Sequence, residues 1–161
     1  MPVDPNEFKA ALGSWGSGVC VVTASDGEGR LGGLTANSFT SVSLDPPLVL
    51  FCLGEDSTSY GVFERADEFV VHILAAGQER LSDLFASKSD DKFERVDYHA
   101  GAGGAPILSG CLAVLECAAR QKITVGDHLI LVGEVQSAQY ETSGEAAPLW
   151  YYGGGYRRLA D

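Results

Sequence analysis

The order of apolar and polar residues along the chain predicts a protein built mainly of β-strands. Between residues 38 and 44 the two classes alternate, which places every second side chain on the same face of a strand. One face carries Phe39, Ser41 and Ser43, and the other carries Thr40, Val42 and Leu44. A glycine pair precedes this segment and a proline pair ends it. Such a segment holds short polar groups rigidly, which suits a polar, planar or phosphorylated ligand.

Apolar runs separated by turn residues predict further strands at residues 19–24, 48–53, 68–74, 111–119 and 129–135. The strands before residue 54 follow one another through tight turns, which indicates an antiparallel sheet rather than βαβ units. Residues 98–104 give neither a strand nor a helix signal, and the aromatic residues near the C-terminus predict a closing strand.

Helical spacing is found in three places. Asp4 is a predicted N-cap with Pro5 in the first turn, and the apolar face that follows (Phe8, Ala11, Leu12 and Trp15) is predicted to pack on the core. A short helix is predicted to follow the loop at residues 54–60, and another to cover residues 78–87. A lone His72 within an apolar strand is predicted to be a core residue.

Chain length predicts the number of domains, and composition argues against some classes of partner. The chain has 161 residues, from which we predict a single domain over residues 1–161. A net charge of −11 argues against a nucleic-acid partner. No apolar run has the length of a membrane span and no signal pattern is present, so we expect a cytoplasmic protein without a membrane partner. The four cysteines lie in apolar stretches apart from the histidines, so we expect buried thiols and no metal site.

No nucleophile–base pair or metal-ligand spacing is apparent, and an enzyme without its own reactive groups normally relies on a cofactor. The hydroxyl cluster at residues 57–59 precedes a predicted helix. Such a cluster is either an ordinary N-cap or a phosphate site.

The run from Gly33 to Val49, GLTANSFTSVSLDPPLV, closely resembles the signature of the flavin reductase family, the small reductase components of two-component flavin-dependent monooxygenases. The resemblance extends over nearly the whole chain through FASK (85–88), DKF (91–93), GDH (126–128) and a C-terminal Gly-x-Tyr-Arg-x-Leu (154–159). It implies a mainly β fold, the FMN-binding split barrel: an antiparallel Greek-key β-barrel with peripheral α-helices. It also implies a homodimer with flavin at the interface.

The resemblance further implies which residues bind the flavin. The ribityl chain and the ring edge would meet Thr35, Ala36, Asn37 and Ser38; the ring would lie along Ser41, Val42 and Ser43; and the phosphate would be held by Ser57, Ser59 and Lys88. From composition alone Lys88 would be a solvated surface charge, and Lys92 is interpreted as structural. Tyr156 is either a wall of the flavin site or a core residue of the closing strand.

Gly126-Asp127-His128 has two interpretations. It is either a plain hairpin turn or, as the resemblance implies, the place where His128 lines the nicotinamide side of the flavin. In the second case a neutral imidazole would donate to the carboxamide oxygen and position the nicotinamide without acid–base chemistry.

The implied activity is hydride transfer from NADH or NADPH to FMN or FAD, with reduced flavin passing to a partner monooxygenase. This chain departs from the family pattern at Cys20, where threonine is common, and at residues 59–61, where Ser-Tyr-Gly replaces Thr-x-Pro. Two alternatives stay open: a split-barrel flavoprotein that keeps its flavin and acts on another substrate, and a non-catalytic flavin-binding protein.

Overall fold

The computed structural model describes residues 2–159. The helices are α1 (Pro5–Leu12), α2 (Tyr60–Arg65) and α3 (Glu79–Ala86), with 3-10 turns at Lys92–Arg95 and Ala102–Gly104. The strands are β1 (Ser17–Gly18), β2 (Cys20–Ser25), β3 (Leu31–Ala36), β4 (Thr40–Leu44), β5 (Pro47–Gly54), β6 (Glu68–Ile73), β7 (Tyr98–Ala100), β8 (Pro106–Leu108), β9 (Ala113–Val125), β10 (His128–Tyr140), β11 (Trp150–Tyr152) and β12 (Gly155–Arg157).

Seven strands form one antiparallel sheet in the order β3-β2-β6-β9-β10-β5-β4. Its two edge strands, β3 and β4, are joined by residues 37–39 alone. Since so short a segment spans only about 10 Å, the sheet must curve until its edges approach each other. The predicted antiparallel barrel is confirmed, and the neighbours β2–β6 and β5–β10 are the non-sequential pairings of a Greek key.

Two apolar clusters fill the structure. Inside the barrel Phe51 packs edge to face on Phe63 and Phe69, with ring centroids 5.6 and 5.3 Å apart. A second cluster lies between β2, α3 and the C-terminal hairpin β11–β12, and it includes Phe85 and Leu149. Strand β1 pairs with β11, so the C-terminal hairpin is fixed to the start of the chain.

The predicted packing of α1 is wrong. Asp4 does cap the helix, because its carboxylate accepts hydrogen bonds from the backbone N–H groups of Asn6 (2.9 Å) and Glu7 (3.3 Å). The apolar face, however, is not buried in the described chain: Phe8 is 52% exposed and Trp15 is 77% exposed. Amphipathic spacing identifies the face that needs covering, but the spacing alone does not place the cover in the same chain.

Three other segments differ from expectation. The alternation in β4 is interrupted by a β-bulge at Val42, since Ser41 pairs with Val49 and Ser43 pairs with the next residue, Leu48. Residues 98–104 contain β7, which pairs with β8, and a 3-10 turn. The β9–β10 hairpin extends, with two register shifts, to a turn at Gly126 and Asp127, so most of the residues predicted to lie between two shorter strands are themselves in strands.

His72 is a core residue, as predicted. Its Nδ1 lies 3.1 Å from the carbonyl oxygen of Val21, and the backbone N–H of Leu108 donates to its Nε2 at 3.0 Å. An Nε2 that accepts is unprotonated, so the ring is neutral with its hydrogen on Nδ1. Burial lowers the pKa of His72 to about 4, although the bond to Val21 opposes this shift.

The remaining expectations concern cysteines and membranes. All four cysteines are free; Cys20 and Cys117 are buried, and Cys52 and Cys111 are half-buried. No helix within residues 2–159 is long and apolar enough to span a lipid bilayer.

Candidate functional site

A cavity of about 220 Å³ opens where the end of β3 meets α3 and the C-terminal hairpin. Three residues predicted for the site, Thr35, Asn37 and Tyr156, line it. The other lining residues are Val19, Ser82, Ala86 and Tyr151. The fold therefore brings together parts of the sequence that are more than 100 residues apart.

Tyr156 is fixed in this cavity by two hydrogen bonds to α3. Its phenol oxygen lies 2.6 Å from Oδ1 of Asp83 and 2.8 Å from Oγ of Ser82. A carboxylate can only accept, so the phenol donates to Asp83 and accepts from Ser82. Burial, followed by the Asp83 carboxylate, raises the pKa of Tyr156, so the cavity wall carries a neutral phenol in a set orientation.

Several of the predicted hydroxyl ligands use their protons inside the protein. Thr35 donates to the carbonyl of Ser82. Ser38 accepts from the N–H of Cys52 at 2.9 Å and donates to its carbonyl at 3.3 Å, which ties the β3–β4 connection to β5. Ser59, only 5% exposed, accepts from the N–H of Gly33 at 2.9 Å and donates to its carbonyl at 3.0 Å. These hydroxyls shape the site rather than present protons to it.

Ser59 occupies the N-cap position of α2, but its side chain makes no capping bond. Neither interpretation of this residue from the sequence anticipated its bonds to Gly33. The position is structural because Gly32 and Gly33 bring the β3 backbone against the start of α2; a Cβ added at Gly32 would lie 2.9 Å from Cβ of Val62.

The loop between β5 and α2 presents open donors. The hydroxyl oxygen of Ser57 accepts from the N–H of Ser59 at 3.2 Å, and among residues 2–159 no recorded bond uses its proton. Lys88, just beyond α3, reaches this loop: its Nζ lies 3.0 Å from Oδ2 of Asp56, with both side chains more than 70% exposed. The structure therefore brings Ser57 and Lys88 to one loop, but Lys88 is paired with a carboxylate there.

His128 lies at the same end of β5. It pairs in register with Gly54, and a Cβ added at Gly54 would lie 3.7 Å from its Nε2. Its Nδ1 is 2.7 Å from Oδ1 of Asp127, and this bond holds the pKa of the Asp127 carboxyl below its ordinary value. Since the carboxylate accepts, Nδ1 carries the hydrogen, and a neutral ring offers Nε2 as an acceptor. The interpretation from the sequence instead had the imidazole of His128 donate a hydrogen bond to the carboxamide oxygen of the nicotinamide.

The site residues predicted on β4 belong neither to the lining of the cavity nor to the β5–α2 loop. Ser41, Val42 and Ser43 lie on an edge strand, and none of them lines the 220 Å³ cavity. Val42 is half exposed at its bulge. Ala36 is buried and can offer a ligand only its backbone.

Comparison with known proteins agrees with this architecture. Residues 12–160 match the family described as flavin reductase like domain. The chain belongs to the flavin reductase family.

Individual relatives in the family align over most of the chain. A flavin reductase of Pseudomonas putida is 42% identical over 158 residues, covering 98% of this chain and 92% of that protein. The reductase component of a flavin-dependent trigonelline monooxygenase of Acinetobacter baylyi is 40% identical over 150 residues, covering 93% of this chain and 47% of that protein. The chain thus spans about half the length of some curated relatives that it matches.

One solved structure is similar to this chain over almost the full length of both. The NADH:FAD oxidoreductase SgcE6 of Streptomyces globisporus C-1027, in complex with NAD and FAD fragments, matches with a TM-score of 0.89 and 40% identity. The match covers 99% of this chain and 97% of that one. Structural neighbours of this type confirm the split-barrel fold.

The donor groups of this family member fit a flavin. A phosphate needs cations and hydroxyl protons, and Lys88 and Ser57 are groups of these two kinds at one loop. A flavin ring is planar with polar edges, and the cavity wall offers the amide of Asn37 and the aromatic rings of Tyr151 and Tyr156. The residues present therefore fit the group that the family implies.

Sequence reasoning did not assign the cavity residues Val19, Ser82, Ala86 and Tyr151, nor the carboxylates Asp56 and Asp83. Asp56 could have been singled out from the sequence, because it directly precedes the hydroxyl cluster and an acidic residue beside a predicted phosphate ligand is unusual. Ser82 and Asp83 gave none, because their role depends on where the C-terminal hairpin docks on α3.

Proposed function

We propose that this protein is an NAD(P)H-dependent flavin reductase that reduces FMN or FAD and supplies reduced flavin to a separate monooxygenase. The observation that carries the proposal is the match over residues 12–160 to the flavin reductase family, with relatives named as NADH-dependent FAD and FMN reductases. When bound, the flavin supplies a ring that can accept a hydride from a reduced nicotinamide.

The proposed tasks of the protein side chains are binding and orientation. Ser57 and Lys88 bind the phosphate, while Ser59 holds the β5–α2 loop, which carries Ser57, against β3. Thr35, Ala36, Asn37 and Ser38 border the ribityl chain and ring edge, and Tyr156 forms a wall. Ser41, Val42 and Ser43 complete the ring site from β4, and His128 positions the nicotinamide through Nε2. Catalysis would come mainly from proximity and alignment.

The partner in the proposal is a flavin-dependent monooxygenase. The support is that relatives at 40% and 34% identity are named as reductase components or subunits of such monooxygenases. We place the protein in the cytoplasm, since four free cysteines suit a reducing compartment. We treat residues 1–161 as a single domain, because the first strand, β1, pairs with β11 of the C-terminal hairpin.

A homodimer completes the proposal. The exposed large apolar side chains include Phe8, Leu12 and Trp15 at α1; Val42 and Leu44 on β4; and Ile123 and Val125 near the tip of β9. Exposed large apolar side chains suit an interface with another chain where they form a patch. A second copy of the chain is the occupant that the family resemblance favours. Light scattering should give twice the chain mass, and a monomer with full flavin affinity would refute this part.

Steady-state oxidation of NADH and NADPH with added FMN or FAD tests the activity. We expect turnover well above the rate of the same mixture without protein, and the proposal fails if the two rates agree. The colour of the purified protein separates the alternatives: a yellow protein whose flavin never exchanges would favour a flavoprotein that keeps its cofactor. Flavin binding without turnover would favour a carrier.

A further inference from the structure

The pairing of Lys88 with Asp56 is unexpected for a lysine that is to bind phosphate. The two charged atoms are 3.0 Å apart, and Asp56 immediately precedes Ser57, the residue with the open hydroxyl proton. A carboxylate therefore already occupies the position beside Lys88 at which a phosphate oxygen would be recognised.

Other basic side chains around this loop are engaged elsewhere. Lys92 donates to the carbonyls of Gly33 and Phe85, both at 3.1 Å, and is buried. Arg65, at the end of α2, bonds to Asp26, and Lys122 donates to the carbonyls of Glu64 and Ala66. Among the ion pairs within residues 2–159, the exposed Lys88 is the cation that pairs with this loop.

We propose that Asp56 competes with the flavin phosphate for Lys88, so that the flavin binds weakly and exchanges between turnovers. The inference rests on the proposed function and adds an affinity-determining residue to it. An exposed ion pair is weak, so a dianionic phosphate can displace the carboxylate. The displaced carboxylate stays on the same loop, where it repels the phosphate. A reductase that hands its product to another enzyme needs this kind of release.

The test measures dissociation constants for FMN and for riboflavin, which lacks the phosphate, at low and high salt. Asp56→Asn should tighten FMN binding by about three- to twentyfold at low salt and leave riboflavin binding unchanged. The gain should shrink at about 0.5 M salt, where exposed charges are screened. Glu55→Gln is the matched control, because Glu55 is exposed, directly precedes Asp56 and loses the same charge. It should change FMN binding less than about twofold.

A double-mutant cycle tests the competition itself. With Lys88→Gln in the background, Asp56→Asn should give a clearly smaller gain, because no cation remains to be released. The inference is overturned if Asp56→Asn leaves FMN affinity unchanged, if Glu55→Gln gives the same gain, or if the gain is equal with and without Lys88. If the unaltered protein binds neither FMN nor riboflavin, the proposed function itself fails, and the inference fails with it.

Discussion

Two regions on either side of the β5–α2 loop contain the same kinds of polar side chain in opposite environments. On the inner side Ser59 and Lys92 both bond to the backbone of Gly33 and are 5% exposed. On the outer side Ser57 and Lys88 keep donors open to solvent. Histidine repeats the contrast, since His72 is buried between two backbone groups and His128 is exposed. Inner members of each pair should govern stability, and outer members should govern ligand binding.

The lysine pair should give the largest effect. Lys92→Met removes two charge-assisted bonds and buries an apolar end against the carbonyl of Phe85 and the carbonyl of Gly33, which keeps only its bond from Ser59. We expect the free energy of unfolding to fall by about 2–4 kcal/mol in urea titrations. Lys88→Met is the control, since it loses only an exposed ion pair and should change stability by less than about 1 kcal/mol while weakening FMN binding. Equal losses of stability in both variants would contradict the contrast.

The buried histidine should produce the next largest effect, through pH. The pKa of His72 is about 4 in the folded protein and ordinarily about 6.5, so the unfolded chain binds the extra proton first as pH falls. The stability due to the neutral ring is therefore present above about pH 6.5 and is lost between there and about pH 4.

Between pH 7 and pH 5 this linkage amounts to about 2 kcal/mol. His72→Gln should show a flatter dependence of unfolding free energy on pH over that range, measured by urea titration beside the unaltered protein. Parallel pH profiles for the two proteins would mean that His72 does not hold its low pKa.

The contrast also explains how much the sequence could predict. Strands, turns and the antiparallel sheet followed from local pattern, because apolar runs and turn residues act within a few positions, whereas closure into a barrel was implied only by the family resemblance. The structural role of Lys92 and the core position of His72 were predicted correctly. Ser57 and Ser59 were not distinguished, because they differ only in which of them meets Gly33 across the fold. The exposed face of α1 shows the same limit: periodicity defines a face but not its partner.

The serine pair sharpens this point. Ser59→Ala leaves the buried N–H of Gly33 without its partner and the carbonyl of Gly33 with Lys92 as its remaining donor, so we expect a loss of about 1–2 kcal/mol of stability. Ser57→Ala removes a half-buried hydroxyl that accepts from the N–H of Ser59, so it should cost less than about 1 kcal/mol of stability, while FMN affinity falls by about tenfold. Urea titration and flavin fluorescence give both quantities for each variant. If Ser59→Ala instead weakens FMN binding at full stability, Ser59 is a ligand despite its internal bonds.

His128 should give the smallest effect, and its position makes the outcome informative. Under the proposed role His128→Ala keeps FMN affinity, raises the KM for NADH several-fold and slows hydride transfer in stopped-flow experiments, because the nicotinamide is less well aligned. Asp127→Ala is the matched variant: it keeps the ring but frees it from the bond that fixes its hydrogen on Nδ1, so it should shift the same parameters less. If His128 is a turn residue without a binding role, His128→Ala should cause a small loss of stability and leave the kinetics unchanged.

His128 also lies against Gly54, at the start of the loop that carries Asp56 and Ser57, so a third result is possible to distinguish. A loss of FMN affinity with an unchanged KM for NADH would assign His128 to the phosphate side of the site.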